Sequence, residues 1–203
     1  MKKLLIFLFV LAFSFSIMGT ANATLTGFYL GPDHFVYDSD LGITWDDTAH
    51  STMSWYDTNT WINSLNSSHF GGVTDNGWRL PTTPGIAGFT DDGEMGHLFY
   101  DELGGVANVS IADTHNSNYA LFTNLQSYVY WSGSEYVPGP GLAWYFNFGD
   151  GSRYALSDSG NFVYALAVHE GDIGAASMPE PATMLLLGLG LIGLAGVRRK
   201  FKK

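Results

Sequence analysis

The 203-residue chain has no cysteine. Disulfides, thiolate metal sites and cysteine nucleophiles are therefore excluded together, and the fold must rest on packing alone. Lysine is confined to the two ends. Between residues 24 and 178 the only fixed cations are Arg79 and Arg153, set against eighteen of the nineteen acidic residues, so the middle stands at −16 while the whole chain stands at −10. Such a body cannot neutralise a run of phosphates, and no nucleic acid is expected as a partner; anionic lipid is an equally poor one. Enzyme signatures are also scarce. There is no HExxH, no phosphate loop and no GxSxG, and His34, His50, His69, His97, His115 and His169 are scattered without ligand spacing. The chain is read as a non-enzyme, with a polysaccharide hydrolase built on paired carboxylates as the residual alternative.

What is present begins with two apolar ends. Lys2 and Lys3 precede a run from Leu4 to Ile17 that only serines interrupt, and Ala21-Asn22-Ala23 follows. These are the three regions of a secretory signal peptide over residues 1–23, with Ala21 and Ala23 at the cleavage site. A run of this length is shorter than the ~17 to 25 residues of a spanning helix. At the other end Pro179, Glu180 and Pro181 precede the apolar residues 182–197 and the basic tail 198–203. Such a run spans about 24 Å as a helix, slightly short of a hydrocarbon core, and snorkelling arginines make up the difference. Arg198, Arg199 and Lys200 hold the tail in the cytoplasm by the positive-inside rule, so one C-terminal transmembrane helix is expected with residues 24–178 outside.

The body reads as a mixed α+β domain. Phe35-Val36-Tyr37 and Ile43-Thr44-Trp45 flank the turn formers Asp38-Ser39-Asp40 and Gly42, a hairpin pattern. Ser54 and Asp57 form a capping box before a helix from about Trp55 to Leu65. A second helix is expected from Gly93 to Leu103, where Met95, Leu98, Phe99 and Leu103 share a face. Residues 104–127 read as a long irregular loop, a feature compact domains keep when it has a use. Strands are expected over 128–134, 144–148, 152–156 and 162–169, with Asp150-Gly151 as a tight turn.

Two resemblances build on these residues. The Pro179-Glu180-Pro181 triplet, the short Leu/Gly-rich span and the basic end together resemble the PEP-CTERM sorting signal. That resemblance implies a temporary anchor, with the triplet recognised and cut by a membrane-embedded exosortase. The strings VYDSDLGITW, MSWYDTNTWINSLN, GWRLPT, YWSGSEY, AWYFNFGDGSRY and NFVYALAV resemble the Lcl C-terminal-like domain family over a core of about 35–170. This family is similar to the C-type-lectin-like fold, which implies a small antiparallel sheet, two helices and long irregular loops. The chain departs from the family in its last strand, where Ala167, Val168 and His169 stand in place of the usual arginine and frequent cysteine. Formylglycine-generating enzymes share the general fold but need cysteines, so that reaction is excluded.

Candidate ligand residues fall in irregular segments. Asp113, His115, Asn116 and Asn118 in the long loop, with Asp150 and Arg153 at the second turn, are the expected ligand surface. No cofactor is expected. Calcium is the one cation the loop chemistry suggests, at Asp113 and Asn116, although the chain has no EF-hand spacing and solvated acidic turns explain the same residues. Trp45, Trp55, Trp61, Trp78, Trp131 and Trp144 are read mainly as core, with stacking on sugar rings as the other role. Arg79 and Arg153 are expected to pair with carboxylates. The leading expectation is an exported, exosortase-sorted surface or matrix protein whose domain binds extracellular polysaccharide. A purely structural matrix protein is the competing class.

Overall fold

The structure, a computed structural model, describes residues 25–175. The expected signal peptide with Ala21 and Ala23, the triplet Pro179-Glu180-Pro181, the apolar span and Arg198, Arg199 and Lys200 lie outside the described residues. Among those that are described, no helix is long and apolar enough to cross a membrane.

Eleven strands form two sheets, with no closed barrel among the described residues. The first contains β1 (Leu25–Leu30), β2 (Asp33–Asp38), β3 (Ile43–Asp46), β11 (Val168–Glu170) and β5 (Trp78–Arg79) in that order, all antiparallel. The expected hairpin is β2–β3, with Val36 opposite Trp45. The second sheet runs β4 (His50–Met53), β10 (Val163–Ala165), β7 (Val129–Glu135), β8 (Leu142–Asn147), β9 (Ser152–Ser157) and β6 (Gly88–Phe89). Its β10–β7 pair is parallel, so the one small antiparallel sheet expected from the sequence becomes two sheets, one of them mixed. The expected strand over 162–169 is likewise two strands. After Ala165 the chain leaves one sheet and enters the other at Val168. Ala165, Leu166, Ala167 and Val168 are all fully buried, and buried residues on both sides of a sheet seam erase the alternation that marks a strand boundary.

Helix α1 (Trp55–Ser68) opens as the capping box dictates. The Ser54 hydroxyl accepts from the Asp57 amide and donates to the Asp57 carboxylate at 2.7 Å. Ile62 and Leu65 face one core cluster with Phe35, Trp78, Trp131 and Val163. The second helical segment starts as α2 (Glu94–His97) and widens into a π turn over Leu98–Glu102, where the Leu103 amide reaches back to the Leu98 carbonyl. Met95, Leu98, Phe99 and Leu103 are fully buried in the other core cluster, among Val36, Trp45, Phe146 and Phe148. Alternate residues of the same strands supply both clusters: Phe35 and Val36, then Tyr130 and Trp131. This is the period-two geometry of a sheet core buried on both faces. The long loop carries a short helix α3 (Ile111–Thr114) and a 3₁₀ turn over Ser117–Leu121. Trp45, Trp78, Trp131 and Trp144 are buried, and Trp55 and Trp61 half-buried.

Candidate functional site

The expected ligand residues do not converge on one site. Asp113 is exposed on α3, and the exposed His115 ring stacks on Tyr119 with centroids 4.3 Å apart. Asn116 and Asn118 turn their side-chain amides toward the protein. Both donate to the Glu102 carbonyl at 2.9 Å, and the Asn116 oxygen accepts the Asn118 amide. Their work is to cap the carbonyl end of the π turn, which like any helix end leaves acceptors without intrahelical donors. The expected calcium pair Asp113 and Asn116 is corrected accordingly, since one stands in solvent while the other is engaged on backbone. Asp150 closes its own turn by accepting from the Ser152 amide and hydroxyl. Arg153 is the clearest correction. It is fully buried, donates to the Ile86 and Asp92 carbonyls at 2.5 and 2.7 Å, and so offers nothing to a ligand surface. The expected arginine–carboxylate pairing does hold. Arg79 grips Glu94 through both nitrogens at 2.6 and 2.8 Å and reaches Glu170, while Arg153 lies 3.6 Å from Asp92.

Two other constellations are built instead. The first is polar and buried, where the β2–β3 turn meets the π turn. The Asp38 carboxylate takes the Asp40 and Leu41 amides on one oxygen and lies 3.5 Å from the Trp45 indole nitrogen on the other. His97 ends α2 and sends Nδ1 to Asp101 at 3.0 Å; its Nε2 points to Glu102 at 3.4 Å and Asp40 at 3.9 Å. Asp38, His97 and Glu102 bring ligand atoms within 4.8 Å of one another, alone among the described residues in forming such a group. Burial raises the Glu102 carboxyl above its ordinary range, the Asp38 carboxylate adds to the rise, and His97 opposes it. The π turn matters here because widening brings residue i+5 round beside residue i, whereas in an α-helix it sits on the far flank.

The second constellation is an open groove of about 690 Å³ lined by Thr52, Tyr119, Gln126, Tyr128, Phe162 and Tyr164. Tyr128 is 52% exposed and Phe162 63%. Their neighbours fix the floor: Tyr164 meets Tyr128 edge-on at 6.0 Å, and the Tyr119 hydroxyl donates to the Leu125 carbonyl. Tyr119 joins this groove to the His115 loop, so the long loop does border a candidate ligand surface, though through its aromatic residue. Sequence reasoning missed both groupings. The one local signal was the spacing of His97, Asp101 and Glu102, an i, i+4, i+5 set on an expected helix.

Comparison with known proteins agrees with the two halves of this description. Residues 179–200 match the PEP-CTERM protein-sorting motif, which implies export and processing by exosortase. No curated protein matches the chain. Residues 34–169, well over half of the 203, match the family model of the Lcl C-terminal domain, from the first core hairpin to the buried His169 on the strand that closes the first sheet. The chain therefore belongs to the Lcl C-terminal domain family.

Proposed function

We propose that the protein is an exported, non-catalytic binding module of the cell surface or extracellular matrix, and that its aromatic groove receives a neutral polysaccharide. The observation that carries this reading is the composition of the groove. Tyr128 and Phe162 stand more than half exposed there, while the other large rings of the domain mostly build its core. An exposed ring stacks on the apolar face of a pyranose, and the Gln126, Ser127 and Thr52 side chains at the same surface supply partners for sugar hydroxyls. Charge selects the class of glycan. No cation lines the groove, and a strongly acidic body repels uronates and sulfates.

The sorting motif supports export, with the apolar C-terminal segment as a transient membrane anchor before exosortase cuts near Pro179. Two sheets with a long helix on one face and an irregular loop region on the other support a C-type-lectin-like arrangement. The test is affinity electrophoresis of the exported chain through neutral and acidic polysaccharides, with and without calcium. Retardation by a neutral polymer is expected, weakened about tenfold by Tyr128→Ala or Phe162→Ala, the loss of one stacking contact. Uniform silence would return the protein to a purely structural matrix role. Release of reducing ends would mark it as a hydrolase.

A further inference from the structure

We infer that Asp38, His97 and Glu102 form a binding site for one divalent transition-metal ion of the zinc type, which ties the β2–β3 turn to the π turn. The inference is independent of the aromatic groove. One nitrogen and two carboxylates are a donor set that such ions accept and that the oxygen-seeking calcium uses less readily. Ligands about 2.1 Å from one ion stand about 3.4 Å apart in a tetrahedron. The His97 Nε2–Glu102 pair already stands at 3.4 Å, and donors that all lie within 4.8 Å of one another need to close by at most about 1.4 Å.

Three features mark the cluster as more than acidic surface. First, Glu102 is only 7% exposed, and the one ion-pair neighbour of its carboxylate among the described residues is the imidazole Nε2, 3.4 Å away. Second, that Nε2 is wholly buried and, among the described residues, makes no well-aligned hydrogen bond. Asp101, 3.0 Å from Nδ1, is placed to take the ring proton on that side, which leaves the Nε2 lone pair toward Glu102. This is the carboxylate–histidine support that orients metal-bound imidazoles. Third, no fixed cation neutralises the site. Both arginines of the described chain are engaged elsewhere, Arg79 on Glu94 and Glu170 and Arg153 on Asp92, and this region has no lysine. Two carboxylates thus share a largely dry corner without a fixed cation, an arrangement that a divalent ion neutralises. Asp40, 3.9 Å from Nε2 and partly exposed, stands where a fourth ligand or a bound water completes a tetrahedron.

The experiment measures metal content and thermal unfolding of the exported chain after chelation and reloading with zinc alone, beside His97→Gln and Glu102→Gln. The expected result is one retained ion per chain. At free zinc a hundred times its dissociation constant, the midpoint rises by roughly 5–10 °C. Both variants should lose the ion and the rise. Far-ultraviolet circular dichroism of the metal-free variants verifies that they fold, and Asp101→Asn, which weakens the support without removing a ligand, should bind more weakly by about tenfold or more. The inference is overturned if the parent chain retains no zinc and shows no rise, or if both folded variants respond as the parent does.

Discussion

The two ends of the second helical segment handle buried negative charge in opposite ways. At its start, Glu94 is clasped by Arg79 and accepts the Thr82 amide as well, and Arg153 is enclosed beside it on the Ile86 and Asp92 carbonyls. At its end, Glu102 and Asp38 share a corner with a histidine and no fixed cation. A second corner of the same kind lies on β3, where Asp46 is 8% exposed next to Asp47 at 3%. The described chain has two arginines, and the fold places both around the segment's N-terminal half. Stability is therefore concentrated where the guanidiniums are, while the corners without them are where binding or protonation can act.

Removing a guanidinium should produce the largest effects. Arg153→Met should cost about 3–5 kcal/mol, because it empties a fully buried guanidinium site and removes the donors to two backbone carbonyls; the urea midpoint at unchanged m-value measures it. Arg79→Met should cost less, about 2–3 kcal/mol, since its side chain is 32% exposed and water replaces part of the fork. Combining it with Glu94→Gln should recover part of that loss, a coupling that simple additivity would not give.

The cation-free corners should respond with the opposite sign. Burial, chiefly, pushes the Asp46 carboxyl from its ordinary 3.8 up to about 7; Asp47 and Asp33 add to this, and the Thr48 amide opposes it. Folding therefore takes up a proton between those two values, and stability falls as pH rises through them. Asp46→Asn should stabilise the protein by about 1–2 kcal/mol at pH 8, with the gain shrinking toward zero at pH 4. Thermal melts at the two pH values decide this, and an equal gain at both would break the comparison. Smallest of all, Tyr128→Ala should shift stability by less than about 0.5 kcal/mol, as an exposed position does. Its effect should fall on glycan retardation alone, which would separate groove from scaffold.

Much of the scaffold was legible because its signals are local. The Asp38–Gly42 turn, the Ser54–Asp57 cap and the apolar face of Met95, Leu98, Phe99 and Leu103 each depend on residues within one or two turns of chain. The break inside the run 162–169 was not legible, since Ala165, Leu166, Ala167 and Val168 are all buried and carry no period. The functional corners failed for a different reason. Asn116 and Asn118 have the right chemistry for a ligand loop, and only the fold shows their amides directed at the Glu102 carbonyl. Arg153 sits in a turn motif that suggests a surface, yet the β6–β9 pairing encloses it.

The sequence by itself determined the charge problem. With no cysteine and two arginines for eighteen acids between residues 24 and 178, it excluded disulfides and made phosphate backbones an electrostatically unfavourable partner, and the apolar ends and sorting triplet pointed the chain outward. Those are properties of composition and of contiguous segments. Only the tertiary structure decided which acids receive an arginine and which meet at His97, because Asp38 and Glu102 are sixty-four residues apart in the chain and a strand end and a widened helical turn bring them together. Electrostatic interaction depends on distance through space and on the loss of water, and neither quantity is written in the order of residues.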